Sequence, residues 1–151
     1  MREILFKGKT KEGEWVYGNY EYYHKPEKHI ISNIYDNTTK GVIPETVGQY
    51  TGLTDKNGKK IFEGDIIRFN NQVGSIVYER GCFGIGIDKA IRYKRFEDYV
   101  EEKTNNCYSG VRNDNFISLF EIYWNCNNEN NQIDEIEIIG NIHDNPELLG
   151  E

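Results

Sequence analysis

GDIIRFNNQVGSIVYERGCFGIGI, Gly64 to Ile87, holds three short apolar or alternating runs in close succession: Ile66 to Phe69, Val73 to Tyr78, and Cys82 to Ile87. Asn70-Asn71 and Glu79-Arg80-Gly81 separate them. Short strands at this spacing predict a small antiparallel barrel or sandwich. Gly81, Gly84 and Gly86 permit the bends and close backbone approaches that such an architecture needs. Immediately upstream, Glu63-Gly64-Asp65 reads as a sharp corner after Ile61-Phe62. Before that, Asp55-Lys56-Asn57-Gly58 carries the strongest local turn signal, because Asn-Gly accepts the positive φ angles of a tight hairpin.

Working outward to the N-terminus, Ile4 to Lys7 leads through the glycine-bearing turn Lys9 to Gly13 into the aromatic run Trp15 to Tyr23, a hairpin pattern. Both alternating sets of that run are bulky, which predicts a strand covered on both sides or lying in an interface. Pro26 is expected to interrupt pairing. His29 to Ile34 then reads as a short strand ended by Asp36-Asn37, and Val42 to Tyr50 as another that Pro44 places at an edge. Toward the C-terminus, Asp88 to Lys103 has the one helical period, with Tyr93, Phe96 and Val100 on one side and opposite charges four apart at Asp88/Arg92 and Lys94/Asp98. Phe116 to Trp124 reads as a strand, Asn125 to Gln132 as a loop, Ile133 to Ile142 as a strand, and Pro146 to Leu149 as an apolar tail able to dock.

Composition agrees with a mainly β chain. Ala90 is the only alanine, while isoleucine and tyrosine are frequent. At 151 residues a single domain is expected, and 37% hydrophobic residues with a mean hydropathy of -0.74 imply a modest core. The formal charge of -7 opposes loose coating of nucleic acid or anionic lipid. No apolar run approaches the roughly 18 residues of a membrane span, and MREILFKGKTKEGEW lacks a signal-peptide core, so a soluble cytoplasmic chain with no membrane partner is expected. Cys82, Cys107 and Cys126 form no CxxC pair, which predicts reduced thiols.

Chemistry-bearing motifs are sparse. Asp55 and the Glu63-Gly64-Asp65 block read as turn residues rather than metal ligands, since Asp55-Lys56-Asn57-Gly58 is only a fragment of a calcium loop. Gly81-Cys82-Phe83-Gly84-Ile85-Gly86 lacks the full dinucleotide fingerprint, and no Walker lysine is present. His24, His29 and His143 would need scattered partners to hold zinc, and a Cys82–His143 nucleophile pair is less expected than a packed cysteine. The expectation is therefore no enzyme and no cofactor. Two features carry functional weight. The basic group Lys89, Arg92, Lys94 and Arg95 nominates Arg92, Lys94 and Arg95 as partner contacts, against the plainer reading of a charge-paired helix face. The surplus of aromatics nominates Trp15, Tyr17 and Tyr20 for self-association, with core packing an equal alternative for this run.

Three blocks resemble the YopX family, encoded mainly by phages and prophages of Gram-positive bacteria. They are the opening MREILFKGKTKEGEWVYG, the central VIPETVGQYTGLTDKNGKKIFEGDII (Val42 to Ile67), and the closing EIIGNIHDNPELL (Glu137 to Leu149). Because they span both ends and the middle, the resemblance covers 1–151 as one unit: an N-terminal β-hairpin region at 1–41, then an SH3-like barrel region at 42–151 with a divergent helix and loop insertion at 88–132. It thus implies a mainly β fold, a small SH3-like barrel with an additional N-terminal hairpin and one short helix. It implies no established activity, but SH3-like barrels are binding scaffolds more often than catalysts. The resulting expectation is a non-catalytic phage or prophage accessory protein, a homo-oligomer acting on a host protein. The alternatives are sequestration of a small anionic nucleotide signal and contact with nucleic acid, the last disfavoured by the acidic charge.

Overall fold

The computed structural model describes residues 3–69, 71–87 and 115–150. The helix expected over Asp88 to Lys103, the basic residues Lys89, Arg92, Lys94 and Arg95, and Cys107 lie outside them. The chain divides into two compact units, Met1–Gly52 and Leu53–Glu151. Its strands make two antiparallel sheets with one short helix among the described residues, not a closed barrel.

In the first unit, β1 (Phe6–Lys9), β2 (Trp15–His24), β3 (Glu27–Ser32) and β4 (Thr39–Gly41) form an antiparallel meander. β5 (Gly48–Thr54) pairs with the other side of β1 through Phe6↔Gln49 and Lys7↔Gly48. Pro26 does not break the pairing as expected. Lys25 and Pro26 form the two-residue connection itself, so β2 and β3 stay paired out to His24↔Glu27, where a missing N–H costs no ladder bond. The core of this unit lies where Ile31 and Val42 close over Gly8, whose absent Cβ would stand 3.0–3.1 Å from both side chains. Gly18 marks a tighter approach: a Cβ there would fall 2.0 Å from the Ser32 carbonyl oxygen. The Val42 to Tyr50 strand reading is also corrected. Pro44–Thr46 forms a 3-10 turn with proline at its start. The Thr46 hydroxyl locks it by accepting from Lys9 N (2.8 Å) and donating to Ile43 O (2.6 Å).

The second unit holds β6 (Lys60–Phe62), β7 (Asp65–Phe69), β8 (Gln72–Glu79), β9 (Cys82–Gly86), β10 (Phe116–Ser118), α1 (Leu119–Asn125) and β11 (Ile136–Asn141). The stretch Gly64 to Ile87 forms its three expected strands, and the sheet runs β10-β9-β8-β7-β11, open at β10 and β11. Arg80 and Gly81 both adopt positive φ (55° and 79°) between the paired residues Glu79 and Cys82, the two-residue hairpin geometry that matches sheet twist. β7 is buried on both faces at Ile66 and Ile67, each at 0% exposure, while Arg68, further along the Ile66 face, is exposed. Ile67, Phe69, Ile76 and Ile85 pack with Leu119, Ile122 and Ile133 in one core.

Two local expectations change here. Phe116 to Trp124 is strand only to Ser118, whose hydroxyl accepts from Phe120 N (3.2 Å) and caps α1. Leu119, Ile122 and Cys126, three and four residues apart, supply the buried face at 0% exposure. A helix therefore lies at Leu119–Asn125 in a segment expected to be strand. Between Asp55 and Lys59, positive φ falls on Gly58 alone (79°), and Asp55 N donates to Lys59 O (2.8 Å). This is a three-residue loop rather than a two-residue turn. Asp55, 1% exposed, organises it: Oδ1 accepts from Asn57 N and Lys59 N (both 2.9 Å), and Oδ2 accepts from Ile138 N (3.0 Å) on β11. The asparagine-rich loop behaves as expected, with Asn127, Asn130 and Asn131 at φ of 56–59°, a region asparagine tolerates better than most residues.

Candidate functional site

β2 is ten residues long, and its outer half is exposed from Glu21 to His24. Side chains alternate across a strand, so Tyr20, Tyr22 and His24 share one face. The register Tyr20↔Ile31, Tyr22↔His29 and His24↔Glu27 brings β3 residues onto that face. Tyr22 stacks on His29 (ring centroids 4.5 Å apart) and meets His24 edge-on (4.6 Å). The Tyr20 hydroxyl lies 2.6 Å from His29 Nδ1, and His29 Nε2 lies 3.0 Å from Glu27 Oε2. One proton assignment satisfies all three groups: Tyr20 O–H donates to Nδ1 while Nε2–H donates to the carboxylate. Burial, together with the negative charges that Tyr22 and Glu27 can carry, raises the Tyr20 hydroxyl above the ordinary tyrosine range, which keeps it a donor. The chain Tyr20–His29–Glu27 fixes the imidazole ring and ties β2 to β3.

The opposite face carries Trp15, Tyr17 and Tyr23. The ammonium groups of Lys7 and Lys9 lie 4.7 and 5.9 Å from the Trp15 ring centroid, within cation–π range. Lys7 is itself buried. Tyr23 donates to Glu21 Oε2 (3.1 Å), which raises its hydroxyl. The three aromatics nominated from sequence thus divide: Trp15 and Tyr17 on one face, Tyr20 on the other. Trp15 is engaged by lysines and Tyr20 by His29. The exposed aromatics of β2 are Tyr17 (46%), Tyr22 (44%) and Tyr23 (47%). Tyr22 and Tyr23 belong to the same aromatic run, and the pairing across Pro26 is what places Tyr22 against His29.

Other nominated groups have local structural work. Asp65 Oδ2 accepts from Phe62 N (2.8 Å), consistent with the turn reading of its block. The Cys82 thiol donates to Glu79 O (3.6 Å) at the β8–β9 hairpin, while His143 borders Gly64. Among the described residues no group of three or more His, Cys, Asp or Glu is placed to hold a metal, and no helix is long and apolar enough to cross a membrane.

Fold and site define a mainly antiparallel β protein with an aromatic hairpin. The chain belongs to the YopX family: the family described as "YopX protein" matches residues 5–150. Among solved structures, protein EF1440 from Enterococcus faecalis is similar at 22% identity over 99% of both chains, with a TM-score of 0.47. No curated protein matches.

Proposed function

We propose that the protein is a non-catalytic binding module of phage or prophage origin, acting in the host cytoplasm as a homo-oligomer on a host protein. The observation that carries this reading is the exposure of Tyr17, Tyr22 and Tyr23 at 44–47% on a single ten-residue strand, because tyrosine is an interface residue by preference. Tyr22 is the best anchor of the three. Its ring is already ordered by His24 and His29, which lowers the side-chain entropy lost on binding. On this reading the strands β7 to β9, consecutive antiparallel neighbours, are the central part of an SH3-like barrel. Sequestration of an anionic nucleotide has weaker support, since of the two lysines beside Trp15 one is buried.

The test is affinity capture from the host with wild type and with Tyr17→Ser/Tyr22→Ser, with both chains shown to be folded by circular dichroism. A host protein retained by wild type and lost by the variant supports the reading. A host protein retained equally by both removes the hairpin from it, and metal- or cysteine-dependent turnover by the purified chain overturns the non-catalytic part.

A further inference from the structure

Asn57-Gly58 is the chain's one Asn-Gly pair, and it lies in the loop that Asp55 organises between β5 and β6. Both residues are exposed. Asn57 is bonded through its backbone N–H alone, and its carboxamide has no hydrogen-bond partner among the described residues. Gly58 carries no side chain to shield its nitrogen, and a Cβ built there would meet nothing within 4 Å. An electrophilic carbon, Asn57 Cγ, and the next backbone nitrogen are thus adjacent along the chain, unobstructed and in water, at a residue type prone to chemical change.

Such a pair can close on itself. Once the Gly58 amide has lost its proton to solvent base, its nitrogen attacks Asn57 Cγ. The new N–Cγ bond forms, the bond from Cγ to the side-chain nitrogen breaks, and that nitrogen takes up a proton and leaves as ammonia. Water then opens the cyclic imide at either carbonyl, giving aspartate, or isoaspartate with the backbone rerouted through Cβ. Water is the only co-reactant. The folded loop holds the first step back, because Gly58 N donates to Asp55 O (2.9 Å) while Asp55 Oδ1 accepts from Asn57 N and Lys59 N (both 2.9 Å). Loss of the Gly58 proton and attack by its nitrogen both require the Gly58 bond to open, and turning the Asn57 backbone toward its own side chain disturbs the two bonds to Oδ1. Asp55 is itself anchored by Ile138 N on β11, so the loop opens against a fixed carboxylate.

We propose that Asn57 is a site of spontaneous deamidation through a succinimide, and that Asp55 sets the rate by keeping the Gly58 amide closed. The reaction adds a negative charge at a position flanked in sequence by Lys56 and Lys59. Its isoaspartyl product also adds a backbone carbon to a loop whose N–H groups converge on one carboxylate, so the spacing that Asp55 spans is lost. The outcome is a one-way loosening of the loop that ties β5 to β11. This goes beyond the binding role assigned to β2 and stands on different residues, so either reading can fail without the other.

The test follows Asn57 in the full chain during incubation in mildly alkaline buffer, by peptide mapping with mass spectrometry and by isoaspartate-specific methylation. A peptide spanning Thr54 to Ile61 gives the rate without the fold. Hydrogen exchange at Gly58 removes the same amide proton that the reaction must lose, so the Gly58 protection factor in the full chain states how far the fold slows conversion. The expected result is conversion of Asn57 to aspartate and isoaspartate, slower than in the peptide by that factor to within about tenfold. Asp55→Ala, shown to be folded by circular dichroism, should convert about tenfold faster than wild type or more, as the loss of at least one hydrogen bond requires, and Asp55→Asn should fall between the two. Should Asp55→Ala fail to fold, the comparison of wild type, Asp55→Asn and peptide still decides. The inference is overturned if Gly58 exchanges as fast in the full chain as in the peptide, or if Asn57 converts at a rate other than the one its exchange fixes. A folded Asp55 variant that converts no faster than wild type overturns it as well.

Discussion

Replacing Asp55 with alanine tests how the turn after β5 is tied to β11. The carboxylate is 1% exposed and accepts three backbone N–H groups: Asn57 and Lys59 within its own loop, and Ile138 on β11. A buried donor left unmade costs about 1–3 kcal/mol. Asn57 and Lys59 are exposed residues, so water replaces part of what they lose, whereas Ile138 is half-buried and recovers less. The expected total is about 3 kcal/mol. For a chain of this size that lowers Tm by roughly 6–12 °C. Asp55→Asn keeps one carbonyl acceptor but turns an NH2 group toward one of the donors, so it should cost about 1–2 kcal/mol. Urea and thermal denaturation give the magnitudes, and hydrogen exchange at the Ile138 amide gives the location, with protection falling at that residue in both variants. An Asp55→Ala chain within about 0.5 kcal/mol of wild type, or unchanged exchange at Ile138, would refute the reasoning.

Gly18→Ala should destabilise the first unit by about 3 kcal/mol or more, because its Cβ would stand 2.0 Å from the Ser32 carbonyl oxygen; an unchanged melting curve would contradict the close approach. Tyr20 has its hydroxyl raised by burial and by the Tyr22 and Glu27 charges. Its stabilising contribution is therefore complete below the unfolded value of about 10 and disappears as pH rises through the folded value. Denaturation followed from neutral to alkaline pH should show that decline in wild type and less of it in Tyr20→Phe. The Thr38 hydroxyl and amide hold Asp36 below the usual carboxylate range. Order in the β3–β4 loop is then present above the unfolded aspartate value and lost as pH falls through the lower folded one, measurable as Thr38 amide exchange; exchange independent of acid pH speaks against it.

Much of the second unit was legible because its signals are local. Ile66 to Phe69, Val73 to Tyr78 and Cys82 to Ile87 are separated at turns where Asn71 (φ 64°) and Gly81 (φ 79°) take the left-handed conformation their residue types tolerate. α1 was not legible. Its buried residues Leu119, Ile122 and Cys126 complete barely two turns, and the aromatics between them also satisfy a strand pattern. What decides for the helix is the Ser118 cap together with a core assembled from distant strands. Pro44 misled in the same way, since its turn depends on Thr46 reaching Lys9 on another strand. At the hairpin, strand alternation alone separates Trp15 and Tyr17 from Tyr20. Which aromatics remain exposed follows from register and neighbours: the lysines beside Trp15 are set by the β1–β2 pairing, and the imidazole beside Tyr20 by pairing across the Lys25-Pro26 connection.

Sedimentation equilibrium of the full chain over a wide concentration range tests self-association through β2 most directly. The account predicts a concentration-dependent mass above that of one chain, reduced toward one chain by Tyr17→Ser/Tyr22→Ser/Tyr23→Ser in a variant that retains the wild-type circular dichroism spectrum. A mass of one chain at every concentration, or an oligomer that the triple variant leaves intact, would contradict it.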